Sequence, residues 1–156
     1  MVSLASVVAE TESANNLNAY RFEPATYAVF KSVDDQTKSP TGALIRHTET
    51  LHQCSPDSAR VILSSSWGKY QIMGENIWSL GYPGTIWKFM MDDAGQSATF
   101  EAFCLRIGVS AQDQADCSWL LDDTKGLVFA RWYNGPGSPD VYLARLRQSY
   151  SMVEGL

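Results

Sequence analysis

Apolar residues recur along most of this chain at helical spacing, and the polar breaks between them carry helix-start and helix-stop residues. Ser3 is placed to cap a first helix bearing Leu4, Val7 and Val8. Pro24 suits the first turn of a second, running to about Val33 with Phe22, Tyr27 and Phe30 as anchors. Ser55-Pro56-Asp57 starts a third, which carries Val61 and Ile62. Glu75 to Leu80 reads as helix and ends at the Gly81-Tyr82-Pro83-Gly84 turn, and Thr85 to Met91 reads as another. Phe100, Phe103, Cys104 and Ile107 then fall at i, i+3, i+4 and i+7 before Gly108. Ser110 caps a helix that takes in Ala111, Cys117, Trp119, Leu120 and Leu121; Thr124 begins one through Leu127, Phe129 and Trp132. That one stops at Tyr133-Asn134-Gly135-Pro136-Gly137, where glycine releases the backbone and proline blocks continuation. A last helix from Ser138 carries Val141, Leu143, Leu146 and Tyr150. Residues 34–53 are weakly patterned and read as a loop with a short helix near Leu44 to Leu51. The pattern predicts a single, mainly α domain over residues 1–156, with at most a short hairpin in the middle.

Composition narrows the function. At 156 residues the chain buries a core without staples. A net charge of −5 with no basic cluster argues against nucleic acid as a partner. The opening residues lack a basic leader, so no signal peptide is expected, and no apolar run is long enough for membrane insertion. Cys54, Cys104 and Cys117 are odd in number and widely spaced, which predicts free, mostly buried thiols, with a Cys104–Cys117 bridge as the alternative. His47 and His52 near Cys54 lack metal-ligand spacing, so neither metal nor cofactor is expected.

Candidate chemistry gathers around Ser65-Ser66-Trp67-Gly68-Lys69-Tyr70-Gln71-Ile72-Met73-Gly74. It has aromatic faces, hydroxyls and a neutral amide but no nucleophile and no phosphate cradle. A sugar ring, apolar on its face and hydroxylated on its rim, needs such partners; a buried Trp and Tyr flanking a tight turn would use the same residues. A second candidate is Glu12. With about 100° per residue and Val8 as origin, Leu4 lies about 40° to one side, Val7 about 100° to that side, and Glu12 about 40° to the other. Glu12 therefore projects from the apolar face just before the helix-breaking Asn15-Asn16, while Glu10 looks to solvent. Poor solvation would raise its pKa, the condition for a general acid near neutral pH. Glu23 stands at the start of the Pro24 helix, where a carboxylate is favoured by the helix dipole.

Three separated pieces, Ala9-Glu10-Thr11-Glu12-Ser13, Ser66-Trp67-Gly68-Lys69-Tyr70-Gln71-Ile72-Met73-Gly74 and Arg131-Trp132-Tyr133-Asn134-Gly135-Pro136-Gly137, resemble in order and spacing the N-acetylmuramidase family of phage endolysins. The resemblance spans nearly the whole chain, Tyr20-Arg21-Phe22-Glu23 included. In looser form the same anchors belong to goose-type lysozymes and soluble lytic transglycosylases. The resemblance implies a lysozyme-like helical fold with a substrate cleft, and cleavage of peptidoglycan glycan strands. It puts Glu12 at the position of the catalytic acid, protonating the oxygen between N-acetylmuramic acid and N-acetylglucosamine. Glu23 is the candidate second carboxylate. Inversion would set the two carboxyls roughly 6.5–9.5 Å apart, retention roughly 5–5.5 Å. Gln71 and the backbone at Gly68 and Ile72 would bond the sugar's N-acetyl and hydroxyl groups, Tyr70 and Tyr133 would line the cleft, and Asn134 would shape its floor. Trp67 has two readings, sugar stacking or buried packing. Residues 34–58 match the family poorly, and Glu12 lacks the glycines that usually follow the acid. The family implies lysis of a host cell, with the enzyme held in the host cytoplasm until a holin releases it, or attached to phage tail or virion proteins. Two alternatives stay open: a lytic transglycosylase leaving 1,6-anhydro products, and a non-catalytic wall-binding virion component.

Overall fold

Ser3 caps the first helix as its sequence predicts, its hydroxyl accepting from the Ser6 N–H. The computed structural model describes residues 1–155. In chain order they form α1 (Leu4–Ser13), β1 (Tyr20–Phe22), α2 (Pro24–Lys31), α3 (Pro40–His52), α4 (Pro56–Leu63), β2 (Ser65–Trp67) and β3 (Ile72–Met73). There follow α5 (Gly74–Ser79), α6 (Ile86–Met91), α7 (Asp93–Arg106), α8 (Ala111–Ala115), a 3-10 helix (Ser118–Leu121), α9 (Asp123–Asn134) and α10 (Pro139–Glu154). The chain divides into two compact units. Met1–Asn15 with the chain from Phe100 onward forms one, and Asn16–Thr99 the other.

In the first unit α1 packs against α10 and α8, and α10 against α9 and the 3-10 helix. The N-terminal segment is fastened by Val2, whose carbonyl accepts from the Cys117 N–H at 2.9 Å and its thiol at 3.1 Å. Leu4, Val7, Val8, Leu120, Phe129, Leu143 and Leu146 are buried, mostly the positions that the helical spacing marks. One expectation is corrected here. The helix that Ser110 caps does not run through Leu121, because Asp116 takes an extended conformation (φ −136°, ψ 103°) and the chain restarts as the 3-10 helix. The indole N–H of Trp119 then reaches back to the Asp113 carbonyl at 2.9 Å. All three cysteines are free; Cys104 and Cys117 are buried and Cys54 half-buried.

The second unit is built on α3, α4 and a three-stranded antiparallel sheet ordered β1-β2-β3. Tyr20 pairs with Trp67 and Phe22 with Ser65, while Trp67 also pairs with Ile72. Its core joins Phe30, Ile45, Ala59 and Leu63. Arg60 ties the end of α2 to α4, donating to the carbonyls of Phe30 and Val33. The short helix expected near Leu44 to Leu51 is present but longer, 13 residues over Pro40–His52, capped by Ser39 and opened by Pro40. Its buried side includes Gly42 and Thr48, and the Thr48 hydroxyl is satisfied by the Leu44 carbonyl one turn back. A stripe so poor in large apolar residues gives little hydrophobic period. The fold is mainly helical with a small sheet and is lysozyme-like, as expected.

Candidate active site

Glu12 lies on the last turn of α1, and the helix stops two residues later because Ala14 (φ 50°) and Asn15 (φ 60°) both turn left-handed. Two successive non-glycine residues in that region are uncommon. Asn15 gains a local partner, its side-chain amide donating to Glu10 Oε2 at 3.0 Å. Thr11 is buried, so the inward face of α1 centres on Val7, Val8 and Thr11, and Glu12 stands at its margin, half-buried. The phenol of Tyr142, on α10, donates a hydrogen bond to Glu12 Oε1. Tyr142 is 1% exposed. Burial first, and then the neighbouring Glu12 charge, hold its ionisation well above the ordinary tyrosine value.

A column of rings backs this pair. Tyr142 lies parallel to Tyr133 (6.1 Å, 5°), and Tyr133 stacks on Phe129 (5.3 Å, 29°). Phe100 and Phe103 meet Tyr133 edge-on. Arg145 donates to the Thr11 carbonyl at 2.8 Å, tying α10 to α1 beside Glu12. Within this unit the expected site residues Glu12 and Tyr133 are thus linked through Tyr142, which sequence reasoning missed. The signal was present: Tyr142, Leu146 and Tyr150 share one face of α10, and a buried tyrosine needs a partner for its hydroxyl. Asn134 is exposed and ends α9, where Gly135 (φ 87°) turns the chain away.

In the second unit the central motif forms β2, a turn and β3. The turn needs two left-handed residues, Gly68 (φ 75°) and Gln71 (φ 49°). Gln71 braces it from within: its side-chain N–H donates to the Gly68 carbonyl at 2.9 Å, and its Oε1 accepts from the Ser66 hydroxyl at 3.0 Å. A second amide, Gln96 on α7, holds it from outside. Gln96 Oε1 accepts from the Lys69 N–H at 2.8 Å, and its Nε2 donates to the carbonyls of Leu17 and Phe89. Gln96 is fully buried and every one of these bonds joins a different segment. Nothing in the local pattern around residue 96 distinguishes it from a surface glutamine, so sequence reading passed it over.

The large side chains of the motif point inward. Trp67 is 6% exposed and donates its indole N–H to the Ile62 carbonyl at 2.9 Å. Tyr70, Ile72 and Gly68 are buried too, and the Tyr70 hydroxyl meets that of Ser97 at 3.3 Å. Glu23 caps no helix N–H with its side chain. Its Oε1 instead pairs with Arg21 Nε at 2.5 Å, an exposed guanidinium on β1. His52 uses both ring nitrogens: Nδ1–H donates to the Thr48 carbonyl and Nε2 accepts from the Ile86 N–H at 2.8 Å. Desolvation lowers its pKa from the usual histidine value.

Compared with known proteins, the chain matches the N-acetylmuramidase family from residue 8 to residue 154, from the middle of α1 to the end of α10. It belongs to that family. The match places the chain among enzymes that degrade peptidoglycan. Among curated relatives, the endolysin of Enterobacteria phage PRD1 is 32% identical over 137 residues, covering 87% of this chain and 88% of that protein. No solved structure matches significantly. None of the helices among the described residues of this muramidase-family chain is long and apolar enough to cross a membrane.

Proposed function

We propose that the protein is an N-acetylmuramidase that cleaves the bond between N-acetylmuramic acid and N-acetylglucosamine, with Glu12 as the proton donor to the glycosidic oxygen. The observation that carries this reading is the half-buried Glu12 carboxyl held by the buried phenol of Tyr142. A general acid must be held still as well as protonated, because proton transfer in the transition state tolerates little misplacement. A bond from Tyr142 to one carboxyl oxygen fixes its rotation. The carboxyl thus presents one set direction to a glycosidic oxygen as an oxocarbenium-like centre develops. Glu23 is the second carboxylate, steadying that charge or activating water, with Arg21 fixing its orientation. The backbone of the Gly68–Ile72 turn, with Gln71 and Asn134, supplies hydrogen bonds to the sugar. The endolysin relative supports a role in phage lysis, reached by holin release or by carriage on the virion.

One observation favours a second reading. Glu23 is already engaged by Arg21, and a lytic transglycosylase works with a single carboxylate, Glu12 acting as acid and then base. End-group analysis of digested peptidoglycan separates the two. Reducing N-acetylmuramic acid ends are expected; 1,6-anhydro ends would replace hydrolysis by the transglycosylase reaction. Release of no glycan fragment at all would leave the non-catalytic wall-binding component.

A further inference from the structure

The second unit carries two large rings that its interior does not need. Tyr20 on β1 is 68% exposed and Trp87 on α6 is 62% exposed. Both rest on the same buried ring, that of Trp67. Tyr20 stacks on it (5.8 Å between centroids, 25° between planes), and Trp87 meets it at a steep angle (6.4 Å, 81°). Trp67 cannot swing away, since its indole N–H is tied to the Ile62 carbonyl and its strand is paired on both sides. The backbone around Tyr20 is equally fixed: Tyr20 pairs with Trp67 across the sheet, and the Gly68 N–H donates to the Ala19 carbonyl at 2.8 Å. Two exposed rings, one stacked on Trp67 and one steeply inclined to it, are therefore held by a rigid third.

We infer that Tyr20 and Trp87 form a sugar-stacking subsite, taking one pyranose ring of a peptidoglycan glycan strand. The inference rests on the muramidase reading above and names a binding contact within it. With one face of Tyr20 on Trp67, the other is turned to solvent, and a flat aromatic face receives the axial C–H bonds of a pyranose. Trp87, inclined to Trp67, offers a second apolar wall. Their chain neighbours Asn18, Arg21 and Lys88 are exposed and polar, which suits the hydroxyl and N-acetyl rim of a sugar and not a broad dry protein interface. The subsite is also continuous with the central motif, because Trp67, its base, is the residue next to Gly68 in the turn. Fixed rings lose little freedom on binding, so their exposure at rest is what a preorganised site requires.

The test uses soluble, peptide-free glycan strands titrated against the full chain carrying Glu12→Gln, which binds without turnover. Trp87→Ala and Tyr20→Ala, each added to that background, are expected to weaken binding about five- to tenfold, with Trp87→Phe restoring most of it. In the chain with Glu12 intact, the same substitutions are expected to raise KM by a similar factor with kcat little changed. Circular dichroism checks that the variants fold. Unaltered affinity and KM in both Ala variants, while the parent cleaves wall, would overturn the subsite and leave the enzyme reading standing. A parent that neither binds nor cleaves strands would overturn both. Loss of a dimer in sedimentation with unchanged strand affinity would instead assign the rings to a second copy of the chain, against this inference.

Discussion

Tyr142 donates its phenolic hydrogen to Glu12 across 130 positions of sequence, and it does so from inside the protein. The two residues sit on helices that pack directly on one another, α1 and α10. A carboxyl at the frayed end of a helix would ordinarily sample several rotamers. Here one oxygen is engaged by a ring that is itself clamped in an aromatic column, so a mobile acid becomes a fixed one.

Tyr142→Phe keeps the stack on Tyr133 and deletes only the donor. We expect a loss of about 1–2 kcal/mol in urea unfolding, typical of a buried hydrogen bond whose partner stays behind. If the phenol positions Glu12, kcat falls about tenfold while KM holds. Unchanged kcat would reduce Tyr142 to a structural role.

Glu12→Gln retains an acceptor for the Tyr142 hydroxyl. Stability should therefore shift by no more than about 1 kcal/mol. Wall-degrading activity should fall at least about a hundredfold, the lower range for a lost general acid. Turbidity clearing of chloroform-treated Gram-negative cells measures it directly, and equal clearing by both proteins would remove Glu12 from the mechanism. Glu23→Gln should be severe only if water attacks, so its effect separates hydrolysis from the transglycosylase reaction.

Gly68→Ala meets two obstacles. The residue has φ 75°, and an added methyl would run into the Gln96 amide, 2.6 Å from its Cδ. We expect about 2–4 kcal/mol of destabilisation, the left-handed penalty plus overpacking. Gly81→Ala is the control: φ is 94° but nothing lies within 4 Å, so only the backbone penalty of about 1–2 kcal/mol applies. Equal losses at both positions would mean that Gln96 yields without cost.

His52 should resist protonation. Its pKa is lowered in the fold, so the unfolded chain takes up the proton first as pH falls below the usual value of 6.5. Its contribution is then complete above that value and is lost as pH drops through the folded pKa. Imidazole nitrogen shifts should show the neutral Nδ1–H tautomer at pH 6.5, and His52→Phe should flatten this limb of the stability curve.

The alkaline side behaves oppositely. Burial pushes the Cys104 and Cys117 thiols from 9.0 up to about 12, and burial with Asp92 raises Tyr82 from 10.0 to about 12. Between about pH 9 and 12 the unfolded chain sheds protons that the folded one keeps. Stability must fall as pH rises across that window. Denaturant midpoints at pH 8, 10 and 11 check it; a rise would contradict the burial of all three groups.

Much of the helical frame was legible because its boundaries are chemical. Ser3, Ser55 and Ser110 cap the helices assigned to them, and Gly135 ends α9 where the Tyr-Asn-Gly turn predicts. The misses share one cause. In α3 the buried stripe includes Gly42 and Thr48, so hydrophobic period marks only the part near Leu44 to Leu51 and hides the start that Ser39-Pro40 announces. β1, three residues long, has all its side chains exposed and takes its identity from pairing with β2, a long-range bond that local pattern does not carry. The same holds at the candidate site. Glu12 was readable from the angular position of one carboxylate on one helix. Gln96 was not, and for Tyr142 the pattern marks a buried face of α10 without its partner, since both are engaged far along the chain. Motif residues such as Trp67 and Tyr70 were marked and are buried, with the exposed rings next to Trp67 outside the motif altogether.

The unit that carries Glu12 is assembled from the first fifteen residues and the chain from Phe100 onward. During synthesis α1 leaves the ribosome long before α10 exists, so its inner face has no surface to rest on while the middle of the chain is made. Glu12 gains its phenol only as α10 docks. Formation of that unit, and with it the Glu12–Tyr142 bond, is deferred by connectivity alone until α10 has been made, and a chain broken off before α10 has no way to complete it.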